Sequence, residues 1–314
     1  MPGPDEQCSG ASPARINAAT KLWTVILPIL AADAAGDCHV LGTGFVVVGG
    51  RRALLVTAAH VMREVRRVER PRERHHASAF FVPAEYRFEL KRTRPFVLYQ
   101  HPTAGVFTVA IEGFLEIADA DLALCRIQLD EDVPPEIAFA QLVLDTRPVD
   151  PGEEVVAFGY TAGSVAPTDD VVDGSQAKFT AQRVSRPGKV TDVYPVGGPT
   201  GQKGACFQCS AQFDPGMSGG PVLSNDGAGR MAVRGVVMSD WQLQGDRAGA
   251  GALATAIWQL LLMPVDVPQA DGRIGKRSLL ELERERAIED LGRGSAHVVV
   301  VRGENGQVVS ARWE

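Results

Sequence analysis

Asp214-Pro215-Gly216-Met217-Ser218-Gly219-Gly220-Pro221-Val222 sets a lone serine inside a glycine frame that presents its hydroxyl and backbone N–H groups together. Acyl transfer needs both parts: an oxygen to attack a carbonyl, and donors where the tetrahedral oxyanion develops. The predicted nucleophile is Ser218, and the predicted oxyanion donors are the N–H groups of Gly216 and Ser218. The glycines permit the tight, positive-φ backbone that this presentation demands.

A serine hydroxyl is a weak nucleophile alone, so the reading requires a base. Val56-Thr57-Ala58-Ala59-His60-Val61 supplies one, His60, at the end of an apolar run. The base needs a carboxylate to fix its tautomer and to stabilise the imidazolium. Ala118-Asp119-Ala120-Asp121-Leu122-Ala123-Leu124 offers two. Asp121 is preferred to Asp119 because it directly precedes the Leu-Ala-Leu strand start, where packing locks it.

Four segments now stand in order: GTGF (42–45), TAAH (57–60), DLAL (121–124) and GMSGGPV (216–222). Together they resemble the trypsin-like (chymotrypsin-fold) serine peptidases, whose histidine, aspartate and serine follow in this chain order. The resemblance covers roughly residues 18–262. It implies an all-β fold of two antiparallel barrels, with His60 and Asp121 from the first, Ser218 from the second, and the site in the cleft between them. It implies a serine endopeptidase that cleaves proteins or peptides through an acyl-enzyme, with neither cofactor nor metal. A catalytically idle binding scaffold on the same fold is the alternative. An α/β-hydrolase esterase is disfavoured, because its acid and histidine follow the serine.

The chain departs from secreted digestive members in one respect that bears on control. Met217 stands where zymogen-type members carry an aspartate that receives a freed N-terminus, and no Ile-Val-Gly-Gly-like start is present. In this it is more similar to bacterial HtrA-like peptidase domains, although no PDZ-like segment follows. By the same resemblance Gln212, six before the serine, floors the primary pocket. An acid there would favour Lys or Arg, so a trypsin-type preference is not indicated. Met238, Ser239 and Asp240 are expected to pair with the substrate backbone as an added strand, with 249–253 as the opposite wall.

Composition agrees with an all-β core: 33 Gly and 20 Pro punctuate many short apolar runs. A net charge of −6 argues against nucleic-acid and anionic-membrane partners. The apolar run 22–32 is interrupted by Pro28, is too short to span a bilayer and reads as the first barrel strand. Residues 1–17 read as a flexible segment with neither the basic region nor the apolar core of an export signal. Five cysteines, an odd set, then point to reduced thiols and a cytoplasmic location. Cys206 and Cys209 lack a second ligand pair at zinc spacing and read as strand residues.

Further first-barrel strands are expected at 44–48, 53–57, 79–82, 96–99, 106–111 and 122–127. The second barrel is expected from 155–160, 177–184, 189–194, 205–212, 221–224, 231–239 and 252–257. Residues 161–176, rich in Gly, Asp, Thr and Ser, read as an exposed loop. The arginine-rich run 63–76, with His75 and His76, reads as a solvated helix end, and His101 as a strand-terminal residue.

Past residue 262 the character changes. Pro264, Pro268 and Gly272 mark a linker, and Ser278-Leu279-Leu280-Glu281 is a capping box opening a helix. Leu280, Ala287, Ile288 and Leu291 recur on one face of that helix, and Gly292 is expected to stop it. Residues 297–302 and 307–312, flanking Asn305-Gly306, read as a hairpin. This appendage, 263–314, is too small for its own core. Two roles are open to it: a structural cap on the peptidase domain, or a module through which a regulatory partner acts.

Overall fold

The structure is a computed structural model and describes residues 22–32, 38–65, 82–89, 95–167, 176–198, 203–225, 230–238, 252–268, 274–285, 292–293, 298–302 and 308–313. The first half supplies β1 (Ile26–Ala32), β2 (Cys38–Val48), β3 (Arg52–Ala58), helix α1 (Ala59–Glu64), β4 (Val82–Glu89), β5 (Phe96–His101), β6 (Gly105–Ile117) and β7 (Leu122–Gln128). Six of these strands close a barrel in the order β1-β2-β3-β7-β6-β5. Alternation builds its two faces. Ala123, Cys125 and Ile127 of β7 point into the barrel with Leu27, Leu55, Val97 and Ile111, while Leu122 and Leu124 point out.

The second half supplies β8 (Leu144–Asp145), β9 (Glu154–Pro167), β10 (Gln176–Tyr194), β11 (Cys206–Cys209), β12 (Pro221–Asn225), β13 (Met231–Val237) and β14 (Ala252–Ala256). The order β12-β9-β10-β11-β14-β13, with a further β12–β13 pairing, closes a second six-stranded antiparallel barrel. Phe207, Phe213, Met217, Val222 and Val237 fill it.

A third core lies between the barrels. Leu122 and Leu124 meet Tyr160, Phe179, Leu223 and Val233 there. Trp23 packs edge-on against Phe158 and Tyr160 of β9, with ring centroids 5.9 and 5.5 Å apart. The Tyr160 hydroxyl donates to Ile26 O across the seam at 3.2 Å.

Several sequence expectations are corrected. Of the strand foreseen at 79–82 only Val82 lies within the described residues; it opens β4, which pairs with β10 of the second sheet instead of joining the first barrel. Residues 161–176 are not simply a loop, since β9 continues to Pro167 and β10 begins at Gln176. Main-chain ladders on both flanks of β10 hold these polar stretches extended, and a ladder asks for no apolar side chains. The two strands foreseen at 177–184 and 189–194 are one, β10, running through Pro187 and Gly188. His101 does end a strand.

The appendage is more structured than foreseen. The supposed linker forms β15 (Pro264–Pro268) and β16 (Ile274–Ser278), an antiparallel pair. Both prolines sit at the ends of β15, the positions where a missing N–H costs least. Helix α2 (Leu279–Arg284) follows with the expected capping box: Ser278 N donates to Glu281 Oε2 at 2.8 Å and Glu281 N to Ser278 Oγ at 3.2 Å. Leu279, Leu280 and Leu282 are buried in the same core that joins the barrels. The helix ends at Arg284, and Gly292 belongs to β17 (Gly292–Arg293), which pairs in parallel with β8. The hairpin is present as β18 (Val298–Arg302) and β19 (Val308–Trp313). Residues 1–17, His75, His76, Ala287, Ile288, Leu291 and Asn305-Gly306 lie outside the described residues. Among the described residues no helix is long and apolar enough to cross a membrane.

Candidate active site

Register brings the histidine and the carboxylate together. β3 and β7 run antiparallel with Ala58 opposite Leu122, so the residues just beyond the ladder, Ala59 and Asp121, face each other. Ala59 N donates to Asp121 O at 2.9 Å, and His60 N donates to Asp121 Oδ1, also at 2.9 Å. His60 Nδ1 lies 2.7 Å from Asp121 Oδ2. A carboxylate can only accept, so Nδ1 carries the hydrogen and the neutral ring keeps its lone pair on Nε2. The His60 side chain is 32% exposed against 12% for Asp121, so the ring reaches solvent over a shielded anion.

Asp121 takes a left-handed conformation, φ 51°, at the end of the 3-10 turn 118–120. That conformation is uncommon for a side-chain-bearing residue and tolerated best by Asp and Asn. It turns the carboxylate back toward His60 while the chain enters β7. The turn is buttressed from the second barrel by Thr255, whose buried hydroxyl donates to Ala120 O at 2.8 Å. Asp119 faces the other way: its side chain is 67% exposed and pairs with Lys203.

The serine loop joins β11 to β12 and is strapped to the end of the first barrel that carries His60. Thr43 N donates to Ser218 O at 2.8 Å. A methyl group on Gly42 would stand 2.8 Å from that same oxygen and 2.7 Å from Val61, the neighbour of His60. Gly216 and Gly219 hold φ of 97° and 84°, the region the glycine frame predicts. Among the described residues neither the Gly216 N–H nor the Ser218 N–H has an acceptor, whereas Met217 N, Gly219 N and Gly220 N each have one. Likewise no hydrogen bond joins Ser218 Oγ to His60 Nε2.

Gly219 gives a sharp prediction. A Cβ there would lie 2.0 Å from Thr57 Oγ1 and 2.3 Å from Thr43 O, on a backbone that disfavours any side chain. Gly219→Ala is expected to cost at least about 2 kcal/mol, read as a lowered unfolding midpoint in urea. An unchanged midpoint would mean that the serine loop is not packed against β2 and β3 as described.

Of the residues expected to bind substrate, Gln212 is exposed at the foot of the serine loop. Met238 is buried, its side chain packing with Cys206 and Leu253 and its N–H donating to Leu253 O at 3.1 Å. Ser239 and Asp240 lie outside the described residues. Cys206 and Cys209 are free, buried thiols, each pushed up to about 11 by burial. Three residues apart on a strand, they face opposite ways, Cys209 into the second barrel and Cys206 outside it. Among the described residues no group of three or more His, Cys, Asp or Glu is placed to hold a metal ion.

Sequence reasoning missed four supports of this site: Thr43, Thr57, Thr161 and Thr255. Each side-chain hydroxyl donates to a main-chain oxygen on a distant segment: Gly216, Thr43, Pro215 and Ala120 respectively. A threonine within or beside an apolar strand carries no mark of such a partner, so only the fold reveals them.

No curated protein matches the sequence. Among solved structures the chain is similar to Deg5 (16% identity, TM-score 0.46, covering 80% of this chain and 92% of that chain). It is also similar to the MamO protease domain from Magnetospirillum magneticum in its apo form (14%, 0.45, covering 76% and 95%). A third likeness is to the Rv3671c protease from M. tuberculosis in its active form (16%, 0.44, covering 82% and 89%). Residues 42–231, more than half of the chain and running from within β2 to the start of β13, match the trypsin-like peptidase domain. With that match on a double barrel of the expected topology, the chain belongs to the trypsin-like peptidase domain family.

Proposed function

We propose that the protein is an active serine endopeptidase with Ser218 as nucleophile, His60 as general base and acid, and Asp121 as the group that holds the imidazole. The observation that carries the reading is the 2.7 Å bond between His60 Nδ1 and Asp121 Oδ2, which leaves Nε2 as the ring's proton acceptor. The acceptor-free N–H groups of Gly216 and Ser218 supply the donors for the developing oxyanion.

In this mechanism the Ser218 proton passes to Nε2 as Oγ bonds to the scissile carbonyl carbon. The carbonyl electron pair moves to oxygen, facing the two N–H groups. Collapse expels the amine, which takes the proton from the imidazolium. Water then repeats the sequence on the acyl-enzyme, releasing the acid and restoring Ser218. Catalytic hydrogen bonds often close only in the substrate complex, so the Ser218–His60 bond is expected to form there.

Labelling with a fluorophosphonate probe tests this without knowledge of the substrate. The full-length protein is expected to label at a single serine, and Ser218→Ala not at all. A folded wild type that stays unlabelled would turn the reading toward an idle scaffold.

A further inference from the structure

We infer that Thr161 and Thr43 are positioning residues that hold the oxyanion loop in its donor-presenting shape, so that no freed N-terminus is needed for activity. This rests on the serine-peptidase reading above. The peptide between Pro215 and Gly216 is planar and trans, so its C=O and N–H point in opposite directions. Thr161 Oγ1 donates to Pro215 O at 2.7 Å, which turns the Gly216 N–H away from Thr161. The next peptide is held the same way, since Thr43 Oγ1 donates to Gly216 O at 2.8 Å while accepting from Tyr160 N at 2.9 Å.

Without these bonds the loop has a ready alternative. Glycine is open to both signs of φ, so the 215–216 peptide can turn over and put a carbonyl where the donor belongs. Turning it over breaks the Thr161 bond, and that bond therefore selects between the two orientations. Thr43 stands on β2 of the first barrel and Thr161 on β9 of the second, so the loop is clamped from both walls of the cleft.

The loop's underside needs no external charge either. Met217 is fully buried in the second barrel, and its sulfur accepts from Asp214 N at 3.3 Å. A thioether asks for no counter-ion in that core, whereas a carboxylate at the same position would. The charge that the loop does carry, Asp214, is met within the chain by Arg186, with Nε 2.8 Å from Oδ2.

The test compares full-length wild type, Thr161→Val and Thr161→Ser, with Thr161→Ala in reserve should the valine methyl disturb folding. Fluorophosphonate inactivation rates, kcat and KM on a chromogenic peptide ester, and thermal midpoints are measured together. Thr161→Val is expected to lower the inactivation rate and kcat by about tenfold while KM and the midpoint stay close to wild type. Thr161→Ser, which keeps the hydroxyl, restores both rates. A form lacking residues 1–17 is expected to label at the full-length rate. Wild-type rates in both the valine and alanine variants overturn the inference, as does labelling only of the trimmed form. Failure of both the full-length and the trimmed form to label overturns the peptidase reading and this inference with it, which distinguishes the two failures.

Discussion

Ser218→Ala and His60→Ala are each expected to lower kcat by up to about 10⁶-fold once a cleavable peptide is in hand, and combining them to add little, as for two groups that act as one unit. Asp121→Asn is expected to cost roughly 10⁴-fold through a different route. Asn tolerates the left-handed backbone at residue 121, so the fold survives the change. What changes is the partner of Nδ1: an amide that donates to it drives the ring hydrogen onto Nε2, and the base is lost. The thermal midpoint should therefore stay near wild type while turnover falls. Asp119→Asn serves as the control. Its exposed side chain pairs with Lys203, so full activity is expected. The reverse pattern, an inactive Asp119→Asn beside an active Asp121→Asn, would overturn the assignment of the carboxylate.

The second large effect is on stability and comes from the far end of the chain. Leu279 and Leu280 are 0% and 1% exposed, in the core shared by the two barrels. Truncating either to alanine is expected to cost about 2–5 kcal/mol. Since a folded domain holds only about 5–15 kcal/mol in all, the double variant, or a chain ending near residue 263, should unfold or aggregate at 37 °C. Glu285→Ala is the matched control: it removes an exposed ion pair with Arg277 and should shift stability by less than about 1 kcal/mol. Chemical denaturation monitored by fluorescence reads all of these. A truncated chain as stable as the full one would show that the leucine contacts contribute nothing to the barrels.

The candidate site was legible where chemistry constrains residue type. Ser218 in its glycine frame, His60 at a strand end and Asp121 at a strand start are the positions where the described geometry brings a histidine, a carboxylate and a serine loop to one end of the first barrel. The barrels were legible because short apolar runs such as those of β3, β7 and β13, buried along most of their length, are punctuated by Gly and Pro. What escaped was the choice of partner. β4 alternates Val82, Ala84, Tyr86 and Phe88 with Pro83, Glu85, Arg87 and Glu89, yet nothing in that pattern names β10 as its neighbour, and the extension of β9 through Gly163 and Ser164 carries little apolar signal. The capping box at Ser278 correctly opened α2, yet nothing local said that its leucines would enter the seam between barrels. The threonine supports escaped for the related reason that a hydroxyl's partner is fixed by tertiary contact.

The three-way core described for the seam also sets the mechanics of the cleft. Two domains joined by a small polar interface are free to hinge, and enzymes built so can open and close on their substrates. Here the walls are joined by a continuous apolar layer from Leu122 and Leu124 through Tyr160 and Val233 to Leu279 and Leu280. Parting the walls would expose that layer to water, so the barrels are expected to stay together. If the protein is the peptidase proposed above, admission of a polypeptide falls to the loops at the rim, and changing what it accepts is a matter of remodelling short segments while the scaffold stays fixed.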